Sequence, residues 1–284
     1  MGAFRRPVRP SLTGGPRMTS PWAAALITIF LWWFSTGAIL WRVRHADRAG
    51  GHAHAASVVI GLPLLAAGIW GLGVSLDDAT ANGTYVAFLS ALAVWGWIEL
   101  AFLSGVITGP NTDPCPGFAG GWDRLRRAAL TILWHEAALI ATLSLLAYAA
   151  WTAANPFGLY TFALLFFARA SAKLNLFLGV PRINVEFLPR PLAHLSSHFR
   201  HARMNWLFPV SVTTLTFATA CWLERAIDAP TEAALVGHIL LAALAALALL
   251  EHWFMVLPLP DQKLWRWMLP DSPAATDPTL MSRT

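Results

Sequence analysis

Among the ionisable side chains that fall inside apolar runs of this sequence are Glu99, His135, Glu136, Arg169, Lys173, His238, Glu251 and His252. A charged side chain at the centre of a bilayer costs ~2.5–3.5 kcal/mol on insertion scales, so each needs a partner or a task. Carboxylates and imidazoles can hold metals, and the adjacent pairs His135-Glu136 and Glu251-His252 bring both types. Neighbours on a helix point ~100° apart, whereas dinuclear carboxylate centres use Glu-x-x-His. Two nearby cations would also repel a metal. A neutral imidazole in an apolar helix can instead serve as axial ligand to a tetrapyrrole, and His135 and His252 sit in that setting. Arg169 and Lys173 are spaced i, i+4 and share a helix face, where they could hold an anion or neutralise carboxylates. The plain alternative is a buried polar network that fixes helix packing.

The elements that carry these residues are unusually apolar. The chain has 284 residues, 56% hydrophobic and 12% charged, against about 25% charged in soluble domains. That excludes a disordered chain, a secreted disulfide scaffold and an ordinary soluble enzyme domain. The net charge of +5 is no nucleic-acid signal, because the basic residues lie in loops between apolar runs. Cys115 and Cys221 are too few for a thiolate metal site. Fifteen tryptophans suit membrane interfaces and large apolar contacts.

Seven apolar runs reach the ~20 residues needed to span a bilayer: 22–41, 55–76, 85–107, 128–151, 157–178, 206–227 and 233–257. In hydrocarbon they must be helices, so the fold class expected is an all-α polytopic bundle. Loops 42–54, 108–127 and 179–205 carry arginines, while 77–84 and 152–156 carry none. The positive-inside rule then places the N-terminus in the periplasm and the C-terminus in the cytoplasm. Residues 1–17, with four arginines, oppose that rule; the sequence reads as starting at Met18, with 1–17 a start-site extension or a disordered tail. In 188–203, Leu188, Leu192, Leu195 and Phe199 form an apolar stripe, which predicts an interfacial amphipathic helix. His194 and His198, i and i+4, could clip a metal but lack a third ligand. Pro258 and Pro260 stop the last helix, Trp265 and Trp267 mark headgroup level, and the remainder of 258–284 reads as disordered.

This threading sets a depth for each buried charge. At 1.5 Å per residue, Glu99 and Glu136 lie ~12 Å from the cytoplasmic helix ends, Arg169 ~14 Å, Lys173 ~8 Å and Glu251 ~9 Å. Four helices therefore place charge in one layer, three carboxylates against two cations. Glu136 and Glu251 are the expected partners of Arg169 and Lys173. His238 falls near the other end of its helix, outside the layer.

The segments LWWFSTGAIL (31–40), WGWIELAFLSGVITGP (95–110), ILWHEAALI (132–140), SAKLNLFLGVPRINVEFLP (171–189), RMNWLFPVSVT (203–213) and LEHWFMVLPLPDQKLWRW (250–267) resemble, in order, the PuhE-type photosynthetic complex assembly family of purple phototrophic bacteria. The resemblance implies a multi-span inner-membrane protein that assists assembly of reaction-centre and light-harvesting complexes and bacteriochlorophyll supply. It carries over no catalytic residues. Glu99, His135, Glu136, Lys173, Glu251 and His252 fall on matching positions, with Asn175, Asn184, Glu186 and Asn205 flanking them at the cytoplasmic face. The family pattern often has His before the glutamate of the third span, where this chain has Ile98.

The expectation is a membrane factor that transiently binds bacteriochlorophyll, a precursor or a subunit helix at the polar layer, with His135 or His252 as pigment contact. Its partners would be the lipid bilayer and photosynthetic complex subunits or other assembly factors. The rivals are a metal-dependent membrane oxidase or hydroxylase acting on a lipid-soluble substrate, a small transporter, and a helix-packing scaffold that binds no pigment.

Overall fold

The computed structural model describes residues 19–118 and 120–258. Residues 1–18, Pro260, Trp265, Trp267 and the tail, on which several sequence expectations rest, lie outside them. Among the described residues all regular elements are helical. The α-helices are α1 (Pro21–Ala49), α2 (Ala53–Ile60), α3 (Leu62–Ser75), α4 (Ala81–Leu103), α5 (Gly121–Ala149), α6 (Phe157–Leu178), α7 (Leu207–Ile227) and α8 (Glu232–Phe254). Taking α2 and α3 as one interrupted span, seven are long and apolar enough to cross a membrane. The protein is a multi-pass membrane protein.

Helices α4 and α8 form the axis. They bury 50% and 56% of their most apolar stretches, against 17% for α1, α5, α6 and α7. Local sequence explains their starts: the Thr80 hydroxyl accepts from the Gly83 amide and the Thr231 hydroxyl from the Ala234 amide, each satisfying a donor that the first turn leaves orphaned. Small residues let neighbours approach, as they do in membranes generally. A Cβ on Gly237 of α8 would collide with the Phe157 ring of α6.

Three boundaries differ from the sequence reading. Helix α1 runs on through Arg42, Arg44 and Arg48 to Ala49 and ends at Gly50, whose φ of 66° favours glycine. The second span breaks between Ile60 and Leu62. Pro63 has no N–H to continue the ladder, and near the break the Val58 carbonyl accepts from the Trp97 indole at 3.1 Å. The segment expected as an amphipathic α-helix forms 3₁₀ turns at Val185–Phe187 and Arg190–His198. With three residues per turn, Leu192, Leu195 and His198 align on the buried side. His198, which is not part of the apolar stripe read from the sequence, is therefore inside.

At one end of the bundle α1, α4 and α8 meet in a packed cluster of Ala24, Tyr85, Phe88, Val236, Leu240 and Leu244, joined by Leu164 and Leu165 of α6. The opposite end carries the arginine-bearing connections. There Asp47 accepts from the Arg190 amide at 3.1 Å, Arg44 bonds the Glu186 carbonyl, and the Arg182 amide reaches the Met255 carbonyl at 3.1 Å. Arg124 donates to the carbonyls of Phe177 and His198, both at 2.8 Å. These bonds latch the 179–206 connection across α1, α5, α6 and α8.

Candidate intramembrane binding site

Next to the packed cluster, α1, α4, α6 and α8 line a partly open cavity of about 360 Å³. Its walls are mostly apolar, including Ile39, Leu92, Trp95 and Leu247. Asn184, Phe187 and Leu188 of the latched connection roof it. Its charged lining residues are Glu99, Arg169 and Glu251, contributed by three helices. The Arg169 side chain keeps 39% of its accessible surface although protein surrounds it, because it faces this cavity.

The layer is wired differently from the sequence expectation. Arg169 Nη2 donates to Glu99 Oε2 at 3.2 Å, while Lys173 Nζ donates to Glu136 Oε1 at 2.5 Å. Glu251 has no cation within ion-pair range among the described residues; the Trp32 indole donates to its Oε1 at 2.8 Å. The expected Glu251 salt bridge is thus replaced by Glu99, which lies on the α4 face turned to α6. Arg169 still feels the charge of Glu251 and of Glu136. The structure brings Glu99, Glu136, Arg169, Lys173 and Glu251 into one neighbourhood. Helix α5 begins at Gly121, ahead of the apolar run that starts at 128, so its end does not mark the depth of Glu136, and the Thr108 carbonyl accepts from the Trp134 and His135 amides at 2.8 and 3.2 Å.

The two candidate pigment ligands stand outside the cavity. His252 is almost wholly buried with both ring nitrogens engaged. Nδ1 donates to the Ala248 carbonyl at 2.8 Å, which leaves Nε2 to accept from the Ser171 hydroxyl at 2.9 Å. It belongs to a network that ties α6, α7 and α8, in which the Ser171 and Ser211 hydroxyls are 2.8 Å apart and Asn175 donates to Ser211 at 2.9 Å. His135 is fully buried, stacked on Phe102 at 4.2 Å between centroids, with Nε2 3.6 Å from Glu99 Oε1. Neither ring nitrogen has a hydrogen-bond partner among the described residues. Neither histidine is among the residues that line this cavity.

The flanking polar residues also separate. Asn175 is fully buried in the α6–α7–α8 network instead of at a water-facing surface. Asn205 donates to the Asn175 and Gly179 carbonyls at 3.2 and 2.8 Å, and its Oδ1 accepts from the Leu207 and Phe208 amides, starting α7. Asn184 lines the cavity roof, and the Glu186 side chain is exposed. Sequence reasoning missed Trp32, Ser171 and Ser211. The available signals were that a buried carboxylate without a cation needs a donor, and that Ser171 and Asn175 share a face at i, i+4. Among the described residues, no group of three or more His, Cys, Asp or Glu is placed to hold a metal ion.

Seven helices long and apolar enough to cross a membrane, four of which line a small-molecule-sized cavity with charged residues, define a polytopic membrane protein. Residues 18–276 match the family described as "Protein of unknown function (DUF3623)", and the chain belongs to that family. It is similar to a Rhodobacter capsulatus protein described as an "Uncharacterized 30.4 kDa protein in puhA 5'region". The two are 66% identical over 261 residues, covering 91% of this chain and 95% of the relative. No solved structure matches.

Proposed function

We propose that this chain is an integral-membrane assembly factor of the PuhE type for photosynthetic reaction-centre and light-harvesting complexes, and that it holds part of a lipid-soluble molecule in the cavity. The observation that carries this reading is the cavity itself, which is apolar along its walls and charged at one end. Such sites bind small molecules, with a few polar groups fixing orientation. The description of the Rhodobacter relative by its place beside puhA and the likeness to the PuhE-type family supply the setting. That setting favours bacteriochlorophyll or a late precursor as the ligand. At about 360 Å³ the cavity lies low in the ~300–1,000 Å³ range of ligand pockets, so it grips one end of a pigment-sized molecule. A polar substituent would meet Arg169 and Glu251. The arginine-rich end faces the cytoplasm of the host's cytoplasmic membrane on this reading, following the positive-inside rule.

The test fills the cavity without touching its charges. A Cβ on Gly96, which lines the cavity, would make only an ordinary contact with Ile39 at 3.6 Å. A phototrophic strain lacking its own copy is complemented with the native chain or with Gly96→Val. The near-infrared absorbance of the photosynthetic complexes is expected to fall several-fold with Gly96→Val at equal membrane abundance of the protein. Normal complex levels in the uncomplemented strain would overturn the assembly role, and normal levels with Gly96→Val would remove the cavity from it.

A further inference from the structure

We infer that the cavity selects an apolar molecule headed by a hydrogen-bond donor, a hydroxyl or an amine, and rejects an acid. This rests on the reading of the cavity as a binding site and specifies the ligand's chemistry. The charged side chains lining the cavity are two carboxylates and one guanidinium, a formal excess of one negative charge. The guanidinium bonds Glu99 through Nη2 at 3.2 Å and keeps Nε without a hydrogen-bond partner among the described residues, so it can still donate to a ligand, but Glu99 already offsets its charge. Lys173, the other cation of the layer, is not part of the lining and is held by Glu136 at 2.5 Å. An entering carboxylate or phosphate would therefore meet two like charges against one guanidinium in a medium that screens them poorly.

Glu251 has the opposite need. Its Oε1 takes the Trp32 indole proton, and the residue is open to the cavity with no ion-pair partner among the described residues. Two of the three α1 hydroxyls in the lining, those of Thr28 and Ser35, reinforce the acceptor character of that wall. Thr28 gives its proton to the Ala24 carbonyl at 3.0 Å and Ser35 gives its own to the Trp32 carbonyl at 3.4 Å, so these two offer a ligand lone pairs. A hydroxyl is the neutral group that satisfies both sides, donating to Glu251 and accepting from Arg169. An ammonium satisfies Glu251 and cancels the excess charge.

The full chain in phosphatidylcholine nanodiscs is titrated at pH 8.5 with tritiated 1-dodecanol, dodecylamine and dodecanoate, three probes that share one tail. Saturable binding above empty nanodiscs is expected for the alcohol and the amine, at least tenfold tighter than for the acid. Glu251→Gln keeps an acceptor for the Trp32 indole and removes the charge; it is expected to lower amine affinity about tenfold relative to the alcohol. Dodecanoate binding as tightly as the alcohol, or an unchanged amine-to-alcohol ratio in Glu251→Gln, would overturn the inference while leaving the cavity a binding site. No saturable binding of any probe would overturn both.

Discussion

Arg169 and Glu99 form the pair on which the layer turns. Glu99 is buried, with Oε1 lacking a hydrogen-bond partner among the described residues and Oε2 held by Arg169. Removing one member of a buried pair strands the other, at a cost of about 3–5 kcal/mol, whereas replacing both by apolar residues is often nearly neutral. Arg169→Leu is thus expected to lower the thermal midpoint of the detergent-solubilised chain strongly, and Glu99→Leu/Arg169→Leu to recover most of it. Intrinsic tryptophan fluorescence during heating measures both. His252→Ala is predicted to destabilise through its lost bonds to Ser171 and Ala248 while leaving ligand binding intact, which a binding assay on the same sample checks. The residues of the layer were legible in the sequence because charge in an apolar run is conspicuous. Their pairing was not, because helical rotation about each axis is set by packing. A shift of one residue turns a side chain by ~100° and changes which carboxylate meets which cation.

The 190–198 turns hold a titrating element outside the membrane spans. Burial lowers the pKa of His198, and of His194 less completely enclosed beside it, below the ordinary histidine value. His198 Nε2 donates to the Asp113 carbonyl at 3.3 Å, joining this element to the α4–α5 connection. A depressed histidine pKa means that the unfolded chain binds the proton more readily. The stability from neutral His198 is then fully present above about pH 6.5 and is lost as pH falls below it. Hydrogen exchange in 190–199 is expected to accelerate at pH 5 relative to pH 7.5, and His198→Gln to flatten that dependence. At the α6–α8 contact, Gly237→Leu must displace the Phe157 ring; overpacking of this kind costs about 1–3 kcal/mol, readable as a lower midpoint in the same melt. Span positions were legible from hydropathy, since length and apolarity alone decide them. The 3₁₀ geometry of 190–198 was not: an apolar stripe at Leu188, Leu192, Leu195 and Phe199 suits an α-helix, while Pro189 and Pro191 and the latches to Asp47 and Arg124 favour the tighter turn.

Across the whole molecule, α5 is held unlike the other spans. It packs sparsely, touching chiefly α6, with smaller contacts to α4 and the 190–198 turns. What joins its middle to the bundle is Leu139, buried in an apolar cluster with Leu72, Val94, Ile98 and Phe162, together with Glu136 paired to Lys173 and His135 against Glu99 and Phe102. The number of crossings and the all-helical class could be read in advance, because a bilayer leaves the backbone few solutions. The cavity could not, since it depends on how α1, α4, α6 and α8 pack beside their shared cluster. The order of synthesis turns this arrangement into a constraint on biogenesis. When α4 and α5 emerge, their glutamates have no cation, and the basic residues of α6 are still unmade; each unmatched charge costs ~2.5–3.5 kcal/mol in lipid. The insertion machinery must therefore shelter the third and fourth crossings until the fifth arrives, and the three then partition into the membrane as one unit.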